Sequence, residues 1–534
     1  MQRIIKIINI HNYHNELIGY IMNLLKTFIL ILSISWQVFA TSYNVKDFGA
    51  TGDKKNYDDS AIQKAINVCT NGGGGTVYFP SGNYLIGNVI ELKSNVQIYL
   101  DTGAILWESP DSAVWRNDEK KYLFYALEAK HFSIIGPGTI HGSGKPDLRR
   151  RSGVEEPWPS FRVGIMKFEN CKDILLRDIT VKYSSFWTLN LTQCENVRID
   201  AVTIKNNFYR VNTDGIIPVS SKNVIISNCT IIAGDDCIVM KSPERKSCEN
   251  IVINNCLLET VSTAVKIGTE SFGDFRDIHI TNTSIRNSGI GIGIFIKDGA
   301  TVERLTASNV SIETTDPDLH TKSANKIAPL FIDIEKRRKD SPIGRVRDVI
   351  FSDIQISSDM GILMQGMPVS LIENLTLSNI HFRINGARDF QIRQKRIGGK
   401  RYTSSVRDTL YIRKPSYVTL AHIKGLHVDN LSVFIPNDVA QQLSYSAFSG
   451  HYLENAVLRD IMRLTGETIT SPLITLQNCK DVLVSNSLVE DKSPILLELQ
   501  GKETMDIMLN MPKLKKIKNK IVFKNNAPMR ALIR

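Results

Sequence analysis

"SKNVIISNCTI", Ser221–Ile231, is preceded by "CENVRIDAVTI", Cys194–Ile204, and followed by "CENIVINNCLL", Cys248–Leu258. Each phrase sets a polar pair before an alternating apolar run, breaks the run at Asn or Asp, and then resumes it. The first apolar positions of four consecutive copies, Val224, Ile251, Ile278 and Leu305, fall 27 residues apart. Earlier copies begin at Ile174 and Val197, and later ones occupy Val346–Ile356, Ile372–Phe382 and Cys479–Val489. A period of this size marks stacked supersecondary units. Alternation rich in β-branched residues makes each unit strand rather than helix. Two or three short strands per repeat predict an all-β fold, a right-handed, single-stranded parallel β-helix whose inward side chains stack along the axis. The recurrent Asn and Asp are expected to hold the turns through side-chain-to-backbone bonds.

The flanking sequence fits one such domain over 41–534, with an N-terminal cap at about 41–100 and a basic C-terminal coil or tail at about 495–534. Asp59–Thr70 carries Ala61, Ile62, Ala65, Ile66 and Cys69 at helical spacing, and is expected to close the end of the coil against further strand pairing. "GGGG", Gly72–Gly75, leads into a strand pattern and lacks the Lys-Ser/Thr ending of a phosphate loop. Two long interruptions, Trp107–Leu127 and Gly142–Arg162, have no pattern of their own and read as walls over the strands. Eight cysteines without a CxxC pair, several at matching repeat positions, read as small core residues, with one disulfide left open.

Met22–Ala40, "MNLLKTFILILSISWQVFA", combines a Lys, a short apolar run and a small-residue boundary, as a secretory signal peptide does, with cleavage expected after Ala40. Residues 1–21 then lie upstream of a start at Met22. The apolar run is too short for a convincing membrane span, and no Cys follows for a lipid anchor. A secreted or periplasmic protein follows. The net charge of +11 favours an acidic partner, yet the chain shows no basic helix stripe and no zinc spacing, which argues against nucleic acid.

The acids are the chemical signal. Asp214 stands one repeat before the doublet Asp235-Asp236. One turn of a coil returns the chain to nearly the same lateral position, displaced by roughly 4.8 Å, so the three become neighbours. Neighbouring carboxylates repel and at least one keeps its proton longer, which suits glycosidic bond cleavage. Acids elsewhere in the coil, such as Asp173, Asp178 and Asp200, read as turn residues.

At these residues the chain resembles glycoside hydrolase family 28, the polygalacturonase-like pectin-degrading β-helix enzymes. "NTDG", Asn212–Gly215, and "GDDC", Gly234–Cys237, are similar to two of its signatures, and Val45–Gly87 and Tyr183–Asn190 to its entry segment and its Phe-Trp phrase. The resemblance implies an inverting hydrolysis with Asp235 as general acid and Asp214 and Asp236 activating water. No metal or cofactor is implied. It also places Asn212, Thr263, Lys266, Phe295 and Lys297 at the substrate. Three positions depart from the family pattern: Thr263 stands where it has His, Phe295 where it has Arg, and Ile217 where it has Asp. An Arg-to-Phe change replaces a bidentate anion contact with an apolar face. Lys266 reads either as a displaced positive charge or as a solvated strand residue.

The expected function is therefore hydrolysis of a pectic or related plant-type polysaccharide or oligosaccharide, exo-acting, not necessarily on plain polygalacturonate, by a monomer. One alternative is a carbohydrate-binding β-helix that has lost turnover. Another is a polysaccharide lyase, for which Arg210 is the nearby basic candidate.

Overall fold

The protein is described by a computed structural model covering residues 17–27, 41–115, 121–145, 161–315, 328–386, 416–489, 495–511 and 521–533. Its strands pair in parallel, rung on rung, into one long coil. The 27-residue period is the register itself. Val197 pairs with Val224, Val224 with Ile251, Ile251 with Ile278 and Ile278 with Leu305. The column then runs on through Val349, Leu375, Leu426, Ala456 and Val482 to Ile507, all buried. It crosses two longer intervals, Leu305 to Val349 and Leu375 to Leu426, and the stack continues across both.

Alternation follows from the pleat. In Glu195–Asp200, Val197 and Ile199 point inward, while Asn196 and Arg198 face solvent. Filling this interior holds the coil together, and truncating one inward Ile to Ala would cost about 2–5 kcal/mol.

The turn residues act differently from expectation. Asn196, Asn223 and Asn250 adopt φ of +58°, +54° and +56°, the left-handed conformation Asn tolerates best after Gly. They bond to one another rather than to backbone: Asn223 Nδ2 donates to Asn196 Oδ1 at 3.0 Å, and Asn250 Nδ2 to Asn223 Oδ1 at 2.9 Å. A second ladder joins Asn255 to Asn228 at 2.8 Å and Asn309 to Asn282 at 2.7 Å. Identical residues at identical turn positions arrive one rung apart, so the amides stack. Asp173 and Asp200 sit in the same ladders, accepting from Asn196 and Asn228.

Helix Asp59–Asn71 buries Ile62, Ala65, Ile66 and Cys69 in the continuous core, the face its spacing predicts. All eight cysteines are buried and unbridged, which answers the open disulfide. Trp115 is buried, its indole N–H donating to the Ser109 carbonyl at 3.1 Å, so it packs the wall segment. The expected cleavage after Ala40 and most of the second wall segment lie outside the described residues. No helix among the described residues is long and apolar enough to cross a membrane.

Candidate active site

Strands Leu189–Thr192, Ile216–Val219, Ile238–Ser242, Thr263–Ser271 and Ile290–Ile296 are successive rungs of one sheet of the coil. The acids lie where the chain enters two of these rungs, and Thr263 opens the next. Thr188 N–H donates to the Asp214 carbonyl at 2.9 Å, Gly215 N–H to the Asp236 carbonyl at 2.9 Å, and Cys237 N–H to the Thr263 carbonyl at 3.1 Å. Asp214, Asp236 and Thr263 therefore occupy equivalent places on consecutive rungs, about 4.8 Å apart, with Asp235 in the turn beside Asp236. The flanking glycines make this approach possible. A Cβ on Gly215 would lie 2.5 Å from the Cys237 carbonyl oxygen, and one on Gly234 would lie 2.2 Å from that of Arg210.

The three carboxylates differ in environment. Asp214 is 3% exposed, and its Oδ1 is buried with no hydrogen-bond partner. Burial first, and then the neighbouring Asp235, hold its carboxyl well above the ordinary carboxylate range, against the pull of Lys241 and Lys266. Asp236 is 1% exposed and fully engaged. Its Oδ1 accepts from Ser262 Oγ at 2.8 Å and Thr263 N at 3.2 Å, and its Oδ2 from Lys266 Nζ at 2.7 Å. Asp235 is half-buried; its Oδ2 accepts from Asn212 N at 3.1 Å, and its carbonyl from Thr260 Oγ1. Asn212 reaches this position at φ +53°, and its side-chain oxygen accepts from Arg162 Nη1 at 2.7 Å. A chain Arg162–Asn212–Asp235 thus runs along one side of the group.

Lys266 is not a solvated strand residue: its side chain is 14% exposed and ion-paired to Asp236. Burial alone would lower its pKa, but the charges of Asp236 and Asp235 outweigh that and hold it raised. Lys297 likewise lies against a carboxylate, Glu335, in a pair that is 14% and 7% exposed. Phe295 is buried, 4.9 Å from Phe331 ring to ring and 5.6 Å from Lys266 Nζ. Thr263 contributes its backbone N–H to Asp236 rather than a side-chain acid or base. Arg210, considered for lyase chemistry, directs its guanidinium to the carbonyls of Lys145 and Ser185 at 3.3 and 3.4 Å.

Lys241 and Arg162 escaped the sequence reading. Lys241 Nζ pairs with Glu270 at 3.0 Å and sits 5.4 Å above the Trp187 ring. Trp187 stacks on Phe186 at 5.2 Å, and Arg162 lies 4.6 Å over Phe186. Beneath them Ile217, Val219 and Val239 form a small apolar cluster on the outer face of the sheet. A signal existed for Lys241, an outward strand position one rung above Val219. For Arg162, in a segment with no pattern, none did. Among the described residues no group of three or more His, Cys, Asp or Glu is arranged to hold a metal ion.

Residues 69–392 match the family model described as glycosyl hydrolases family 28. A probable polygalacturonase of Vitis vinifera is 27% identical over 294 residues, 48% of this chain and 59% of the relative. An exopolygalacturonase of Platanus acerifolia is 29% identical over 205 residues, 38% of this chain and 53% of the relative. The chain thus spans roughly half to three-fifths of the length of these relatives. Among solved structures, a hyperthermoactive exopolygalacturonase from Thermotoga maritima superposes with a TM-score of 0.56 at 20% identity, covering 65% of this chain and 88% of that one. An endo-xylogalacturonan hydrolase from Aspergillus tubingensis gives 0.50 at 16% identity, covering 64% and 92%. At such identities these two speak for the fold, a parallel β-helix.

Proposed function

Because the chain belongs to glycosyl hydrolases family 28, we propose that it hydrolyses O-glycosidic bonds in pectin-related polysaccharide or oligosaccharide by an inverting mechanism. The observation that carries this reading is the stacking of Asp214 on Asp236, one rung apart, with Asp235 beside them. Asp235, half-exposed, delivers the proton to the leaving oxygen. Water attacks from the opposite face, which requires acid and base roughly 6.5–9.5 Å apart. Asp236, gripped by three donors, orients that water, while Asp214, with an unpartnered oxygen, takes its proton. Asn212 positions Asp235, and Thr263, Lys266, Phe295 and Lys297 bound the groove on its C-terminal side. Attack from a chain end and action outside the cell, after removal of residues 1–40, complete the reading. The polygalacturonase and exopolygalacturonase relatives support the pectic substrate.

The raised proton affinity of Asp214 favours a second division of labour, in which Asp214 donates the proton and Asp235 accepts it. The test of the main reading is a screen of defined pectic oligosaccharides with product size and reducing ends read out. Hydrolysis gives new reducing ends without an ultraviolet-absorbing double bond. An unsaturated product would point to lyase chemistry, and intact ligand to a binding protein.

A further inference from the structure

On the C-terminal side of the acids, the cations facing the groove are already matched. Lys241 holds Glu270 at 3.0 Å, Lys266 holds Asp236 at 2.7 Å, Lys297 holds Glu335, and Arg337 holds both oxygens of Asp298 at 2.7 Å. Each of these cations is at most 17% exposed. A carboxylate arriving at Lys266, Lys297 or Arg337 would have to displace a partner carboxylate at most 7% exposed, and stranding a buried charge is costly, whereas Glu270, at 40%, is exposed.

The same stretch of sheet presents carbon instead. The outward positions of successive rungs run Lys266, Gly293, Phe331, Leu363. Gly293 leaves a notch between Lys266 and Phe331, and the Phe295 ring folds into it from the neighbouring column. A Cβ at 293 would stand 2.6 Å from Phe295 Cε2. Phe331 and Leu363 remain partly exposed above it. The apolar strip therefore begins beside Lys266, the partner of Asp236, and ends at Leu363, three rungs beyond it on the side away from the acids.

We propose that the sugar unit seated against Phe331 and Phe295 is an uncharged pyranose, either a neutral sugar or an esterified uronate, and not a free uronate. This assignment rests on the hydrolase reading for the location of the cleaved bond but not for the chemistry of the seat. An apolar ring face stacks on the Phe331 ring, which packs on the buried Phe295, and an uncharged unit leaves the four ion pairs intact.

The test is a titration of the full-length Asp235→Asn protein with three probes: an oligogalacturonide as free acid, its methyl ester, and a neutral-sugar oligosaccharide of pectic type. At least one uncharged probe is expected to bind on the order of tenfold or more tighter than the free acid. The tighter of the two identifies whether ester or neutral sugar is the natural source. The Phe331→Ala change, made in the same background, is expected to erase that preference. Equal or tighter binding of the free acid, or binding of none of the three, overturns the proposal. The parent protein separates this from the hydrolase reading. Uncharged probes bound tightly but never cleaved would remove the hydrolase reading and leave the seat standing. A higher kcat/KM on the free acid than on its ester would do the reverse.

Discussion

Lys266 Nζ lies 2.7 Å from Asp236 Oδ2, one rung above it, with the two side chains 14% and 2% exposed. A buried pair of this kind is weak evidence of net stabilisation, but removing one member leaves an uncompensated charge. Lys266→Met is expected to lower unfolding stability by about 3–5 kcal/mol, while Lys266→Met combined with Asp236→Asn recovers most of it. Denaturant melts of both proteins check this. A single variant as stable as the parent would mean that the ion pair is not formed.

Asp235→Asn is expected to lower turnover by on the order of 10²–10⁴ while the melting curve is retained. Leaving-group dependence tells the acid from the base. If Asp235 is the proton donor, the variant keeps far more of its activity on a substrate with an acidic phenol leaving group. If Asp214 is the donor, that sparing appears in Asp214→Asn instead.

Asp214 binds its proton more tightly folded than unfolded. The sign follows: its contribution to stability is present below the carboxylate's unfolded pKa and is lost as pH rises through the raised folded value. Asp214→Asn is expected to melt at a higher temperature than the parent at neutral pH, with the gap closing on acidification. Measured melting temperatures that diverge toward acid instead would contradict this assignment.

Glu108 is 4% exposed, and burial raises its carboxyl to about 8 despite the Ser143 N–H and the nearby Arg210. Between an unfolded value near 4.5 and about 8 the folded chain retains a proton that the unfolded chain has released, so stability falls as pH rises across that window. Glu108→Gln is expected to flatten the decline, which is at most about 1.4 kcal/mol per pH unit. Urea titrations across the window would show the two slopes, and identical slopes would exclude Glu108 as the source.

The fold was legible because its period is written in residues that must face inward: Val224, Ile251, Ile278 and Leu305 are both the sequence repeat and the structural column. The meeting of Asp214 with Asp235 and Asp236 followed from the same arithmetic. What the acids touch did not. Lys266 reaches Asp236 across 30 residues and Lys241 reaches Glu270 across 29, neither of which is a repeat interval, because side-chain reach adds to rung spacing. The asparagines were expected to bond to backbone, whereas the ladders they form depend on atoms a sequence pattern does not place. Thr263 looked like a lost catalytic group, whereas its backbone N–H helps hold Asp236.

The unbroken inward column from Val197 to Ile507 has a mechanical corollary. The strands of each described turn pair with those of the turns immediately above and below, so tension on the chain ends loads the stack in series. Outer turns would peel first, and those bearing Asp214 to Lys266 lie well inside the C-terminal extremity. Such a molecule could lose its tail to force or proteolysis and still present an intact groove.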